Sequence, residues 1–168
     1  MKEGFDSPGA RIARLLYTGF YTGLVPVAPG TAGTVLALVL YMIVQTHAGR
    51  CGLFINMVVV LILLYPAILL GDHAERETGI KDPQVVVLDE MMGYWITMFM
   101  VPYSVSAAIA GFVLFRFFDI LKPWPIRSLQ RLKGGLGIMI DDYVAGVCAC
   151  LILWGLYLTR SLTGITVV

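Results

Sequence analysis

The chain has 168 residues, 58% of them hydrophobic and only 14% charged, with a formal net charge of +1 and a mean hydropathy of +0.83. That composition excludes an ordinary soluble domain; the net charge of +1 says nothing about nucleic acid, and no nucleic-acid partner is expected. Four stretches, 15–49, 51–71, 91–115 and 143–159, contain no Asp, Glu, Lys or Arg. A hydrocarbon core about 30 Å thick needs about 20 helical residues, so the chain reads as an integral membrane protein.

Met1 to Arg14 is mixed in charge and lacks the short apolar core of a cleavable leader, so none is expected. Segment 15–28 (LLYTGFYTGLVPVA) is rich in aromatic residues and glycine, which suits an interfacial lead-in better than a span. After Pro26, Pro29 and Gly30, the first span is predicted from near Thr31 to about Thr46. His47 to Arg50 turns the chain into a second span, 51–71. The polar run Asp72 to Lys81 predicts a short exposed helix stopping at Gly79. Asp82-Pro83 reads as a helix start, with Asp82 as cap and Pro83 in the first turn, where its missing N–H costs nothing. This third helix is predicted to run to Val101 and to end at Pro102. A return helix covers Ser104 to Leu121, and after a basic loop, 126–133, the last helix runs from Gly134 to Leu158. The expectation is an all-α polytopic membrane bundle of about five helices, one integral-membrane domain over 1–168.

Orientation follows from the basic residues. With the N-terminus inside, nine of them (Lys2, Arg11, Arg14, Arg76, Lys81, Lys122, Arg127, Arg131 and Lys133) are cytoplasmic, and two, Arg50 and Arg160, lie outside. Cys51, Cys148 and Cys150 have neither metal-site nor oxidoreductase spacing and read as small buried hydrophobes. His73 beside Asp72 reads as a solvated residue.

Five acids lie within or beside the apolar stretches: Asp89, Glu90, Asp119, Asp141 and Asp142. A carboxylate in a bilayer costs several kcal/mol unless neutralised. At about 1.5 Å rise per residue, Asp89, Asp119 and Asp142 lie about 18, 22 and 24 Å from the outer ends of their predicted helices. The acids therefore share one inner, cytoplasm-facing layer. Arg116, Asp119 and Lys122, spaced i, i+3, i+6, form a cation–anion–cation stripe. Gly93 and Gly146 follow the two acidic pairs at about one turn and allow close helix approach. Oxygen-only ligands suit Mg²⁺, Mn²⁺ or Ca²⁺, and the neighbouring Arg and Lys suit a phosphate ester. If Arg116 and Lys122 merely neutralised bundle-holding acids, five carboxylates would still face two cations. The run from Pro26 to Thr34 opens a helix with glycine and threonine, so Gly30 and Thr31 are candidate phosphate contacts; it lacks the Gly-Lys-Ser/Thr ending of a Walker loop. No Cys-x5-Arg or Asp-x-Asp-x-Thr nucleophile pattern is present. That leaves metal-activated water as the expected nucleophile, with a carboxylate such as Asp142 as base.

These residues leave two classes of function. One is a site for a phosphorylated membrane ligand. The other is a small divalent-cation or proton-coupled transporter using the same acids as an ion path. The almost wholly apolar outer halves of the predicted helices favour a site over a path.

Four blocks then carry a resemblance: Val25–Thr34 (VPVAPGTAGT), Asp82-Pro83 with Leu88–Gly93 (LDEMMG), Phe115–Ile126 (FRFFDILKPWPI) and Gly134–Gly146 (GGLGIMIDDYVAG). In this order they resemble the phosphatidylglycerophosphatase A family over nearly the whole chain. The resemblance implies a Mg²⁺-dependent, multi-pass phosphatase of the bacterial inner membrane. Its substrate would be phosphatidylglycerophosphate in the bilayer, hydrolysed on the cytoplasmic side to phosphatidylglycerol and phosphate for phospholipid biosynthesis. Asp89, Glu90, Asp119, Asp141 and Asp142 would then be the catalytic and metal residues, and Arg116, Lys122, Gly30 and Thr31 the phosphate contacts. Composition and spacing do not name the headgroup.

Overall fold

The computed structural model describes residues 7–124, 126–129 and 132–163, and every regular element among them is helical. Ser7 caps the first helix, α1 (Pro8–Tyr17), by accepting the Ala10 N–H at 3.2 Å, and Pro8 fills its first position. A 3-10 turn at Thr22–Leu24 leads to Pro29, which opens α2 (Pro29–Ala48). A second 3-10 turn, Gly49–Cys51, passes almost directly into α3 (Gly52–Thr78). The polar run from Asp72, expected as a separate short helix, is the last part of α3, which ends where expected: Gly79 takes φ +68, a left-handed value that glycine adopts without a Cβ clash.

The third predicted helix is shorter than the sequence suggested. Asp82 is not a cap; it sits at φ +52, and the helix α4 covers only Leu88–Thr97. Proline disfavours helical backbone in the residue before it. The β-branched run Val85-Val86-Val87 is then drawn into a tertiary bond, with Val87 N–H donating to Tyr17 O at 3.0 Å. The far end stops early for a related reason. Pro102 has no N–H to return to Met98 O four residues back. Asn56 Nδ2 of α3 donates there instead at 2.9 Å, beside a turn bond from Val101. The next two carbonyls accept from the last helix, Phe99 O from Cys150 Sγ at 3.1 Å and Met100 O from Trp154 Nε1 at 3.0 Å. A helix broken in an apolar setting needs its freed carbonyls satisfied in this way. Replacing the fully buried Asn56 by Leu should therefore cost about 1–3 kcal/mol, read as a lower thermal midpoint in detergent.

Ser104 caps α5 (Val105–Leu121) by accepting the Ala107 N–H at 3.1 Å. A single turn, α6 (Ile126–Leu129), precedes α7 (Gly134–Thr163). Asp72 of α3 accepts the Gly135 N–H at 2.6 Å and so caps α7 from another helix. Helix α7 packs against α3, α4 and α5, and α4 also meets α2.

The packing of α2 is inverted relative to a helix of a water-soluble bundle. The buried face of α2 carries Gly30, Gly33, Thr34, Ala37, Tyr41 and Gln45, while Val35, Val39 and Ile43 are exposed. Small and polar residues inside with large apolar ones outside is the pattern of helices packed in lipid. Two helical stretches, Pro29–Thr78 and Gly134–Thr159, are long and apolar enough to cross a membrane. At ten residues, α4 is about 15 Å long, and the irregular chain from Met98 to Ser104 continues it to α5.

Candidate active site

The broken course of α4 brings its N-terminal acids to the level at which α2 begins and α5 ends. Asp89 and Glu90 occupy the first turn of α4, facing Asp142 on the third turn of α7. One carboxylate oxygen from each of these three lies within 4.8 Å of the others. Asp89 is 8% exposed and Asp142 2%. Asp89 Oδ1 and Glu90 Oε2 are buried without a hydrogen-bond partner among the described residues. Three carboxylates brought together at that separation suit a hard cation, which takes oxygen ligands.

Close approach is built by glycine at the positions the sequence suggested. A Cβ on Gly93 would stand 2.9 Å from Asp142 O and nearer still to the Phe115 ring, and a Cβ on Gly146 would overlap Gly93 O. These two glycines let α4 and α7 meet with their acids on the same side. Gly30 lies against the same acids: a Cβ there would collide with the Glu90 carboxylate and come within 3.4 Å of Arg116 Nη1. Its bareness lets α2 begin against the acids.

The remaining acids hold the two cations. Arg116 Nη1 donates to Asp119 Oδ2 at 2.5 Å and to Thr34 Oγ1 at 3.4 Å, and its Nη2 donates to Thr31 Oγ1 at 3.2 Å. Lys122 Nζ lies 2.5 Å from Asp141 Oδ2 and 3.4 Å from both Asp119 Oδ1 and Asp142 Oδ1. The expected stripe forms, with Asp119 paired to Arg116 one turn before it and to Lys122 one turn after, and Lys122 also caps α5 at φ +40. A lysine in left-handed backbone carries strain, here at a residue whose ammonium reaches three carboxylates.

All nine residues singled out in the sequence thus fall in one cluster, but the acids divide. Asp119 and Asp141 make the shortest pairs with Arg116 and Lys122, whereas Asp142, which Lys122 approaches only at 3.4 Å, joins Asp89 and Glu90 in the group with metal-ligand spacing. Thr31 reaches Arg116 rather than standing free. Thr34 was missed: fully buried, it donates to Gly30 O at 2.8 Å and accepts from Arg116. Its spacing of three from Thr31, on one face of α2, was the available signal. With five carboxylates, two cations and an Arg116 Nε that has no partner among the described residues, the cluster is suited to holding a divalent ion and an oxyanion together.

A sequence profile described as phosphatidylglycerophosphatase A matches residues 15–157 of the chain. A phosphatidylglycerophosphatase A of Escherichia coli K12 is 38% identical over 142 residues, covering 83% of this chain and 80% of its own. That of Haemophilus influenzae is 37% identical over 150 residues, covering 84% and 86%. A Bacteroides thetaiotaomicron protein, provisionally named a phosphatidylinositol-3-phosphatase, is 39% identical over 137 residues, covering 79% and 86%. No solved structure gives a significant match.

Proposed function

Because the chain belongs to the phosphatidylglycerophosphatase A family, phosphoric monoester hydrolases that act on a phospholipid phosphate, we propose that it hydrolyses phosphatidylglycerophosphate to phosphatidylglycerol and phosphate with Mg²⁺. The observation that carries this reading is the trio of converging carboxylates beside Arg116, whose Nε has no partner among the described residues. In the proposed setting α2, α3, α4 with its continuation, α5 and α7 lie in the bacterial inner membrane, and the acid cluster opens to the cytoplasm.

Asp89, Glu90 and Asp142 would hold the ion, with Asp119 and Asp141 as the outer carboxylates of the same layer. When bound, Mg²⁺ supplies positive charge against the phosphate and makes nearby water more acidic. Arg116, braced by Asp119, Thr31 and Thr34, binds two phosphate oxygens, and Lys122 adds a second positive charge. Gly30 opens the space in which the phosphate meets Glu90 and Arg116. Asp142 receives a proton from the attacking water as its oxygen bonds to phosphorus. The ester P–O bond breaks, and the departing lipid alkoxide takes up a proton from solvent water. One displacement inverts configuration at phosphorus.

Comparing phosphate release from phosphatidylglycerophosphate, phosphatidylinositol 3-phosphate and phosphatidic acid tests the choice of substrate. The expected result is a kcat/KM for phosphatidylglycerophosphate at least about 10-fold above the others, about 1.4 kcal/mol of discrimination. A preference for the inositol lipid would move the assignment to the activity named for the Bacteroides relative.

A further inference from the structure

Residues Pro8 to Val27 end in the site but contribute no side chain to it, and their outward face is unusually apolar. Ile12 and Leu16, one turn apart on α1, are exposed, and Phe20, Tyr21, Leu24 and Val27 are each more than half exposed. Phe20 and Tyr21 take φ +53 and +69, left-handed values that are costly for bulky side chains, so strained backbone turns two aromatic rings outward. In water this face would be an aggregation liability. Arg11, also exposed, flanks it with positive charge.

The inward side of the segment is fastened to the catalytic frame. Arg14 Nε donates to Glu77 Oε1 and Tyr17 OH to Glu77 Oε2, both at 2.9 Å, which locks α1 onto α3. Tyr17 O accepts from Val87, two residues before Asp89. Val27 stands two residues before Pro29, where α2 and its apolar run begin.

We propose that this face is a membrane-surface docking element that seats in the leaflet carrying the substrate and so sets the acid cluster at headgroup depth. The proposal rests on the membrane-embedded reading given above. Its occupant is a lipid surface because the segment leads within two residues into the apolar helix α2, and the exposed arginine complements anionic headgroups. Through Tyr17 and Val87 the depth of docking is transmitted to Asp89 and Glu90.

Spin labels at Ile12→Cys, Leu16→Cys and Leu24→Cys, in a chain whose own cysteines are replaced, test this in phosphatidylglycerol-containing vesicles. A label at Ile62→Cys, on the exposed face of α3, serves as the spanning control. The three labels should be relaxed by oxygen more than by a water-soluble nickel chelate, at shallower depth than Ile62. Nickel accessibility at the three sites with Ile62 in lipid would overturn docking and leave the spanning reading intact; nickel accessibility at Ile62 would overturn both. The Leu16→Glu, Leu24→Glu double variant should raise KM for vesicle-borne lipid about 10-fold and leave turnover of a water-soluble phosphate monoester unchanged. An unaltered KM would also overturn the proposal.

Discussion

Replacing Asp142 by Asn, or Asp89 by Asn, lowers phosphate release at least about 1,000-fold, about 4 kcal/mol, while the protein stays folded and membrane-inserted. The size follows from the position of these groups. Both are almost fully buried, and each supplies one oxygen of the three-carboxylate group. Asn keeps the volume and one acceptor but removes the charge that a hard cation selects. The protein should survive the change, because neutralising one of several crowded carboxylates relieves repulsion that the fold otherwise bears. Phosphate release, with thermal midpoint and membrane fractionation as folding controls, reads the result. Near-normal turnover in both variants would remove these residues from the metal layer.

The second large effect is at Arg116. Arg116→Lys retains a positive charge and one ion pair with Asp119, but a lysine cannot also meet Thr31 and Thr34 or present a planar fork to two phosphate oxygens. A loss of about 100-fold in kcat/KM is expected, about 2.7 kcal/mol, with KM raised and kcat lowered. Thr34→Val, which removes one brace and keeps the fork, should give a smaller loss in the same direction. Unchanged KM and kcat in Arg116→Lys would make Arg116 a structural residue.

Much of this arrangement was legible before the fold, because the signals were local. Pro29, Ser104, Gly134 and Gly79 are start and stop residues whose meaning depends on little beyond their own backbone. The acids stood out because charge in an apolar run is costly wherever the run goes. What escaped the sequence was tertiary. Asp82-Pro83 has the form of a helix start, yet the bond from Val87 to Tyr17, 70 residues earlier, holds that stretch irregular. Helix α4 ends early because side chains of α3 and α7 take up the carbonyls of Met98, Phe99 and Met100. The split of the five acids was equally hidden, since it depends on which oxygens Lys122 meets once α5 ends in left-handed backbone. Helix α1 was overlooked although Ser7-Pro8 is a cap followed by a favoured first residue.

Phosphate release from purified, detergent-solubilised protein acting on phosphatidylglycerophosphate, measured after exhaustive chelation and again after Mg²⁺ is restored, bears most directly on the site. Activity should vanish on chelation and return in full with Mg²⁺ for the parent chain, and should fail to return for Asp142→Asn. Undiminished hydrolysis in the chelated protein would contradict a divalent ion held by Asp89, Glu90 and Asp142.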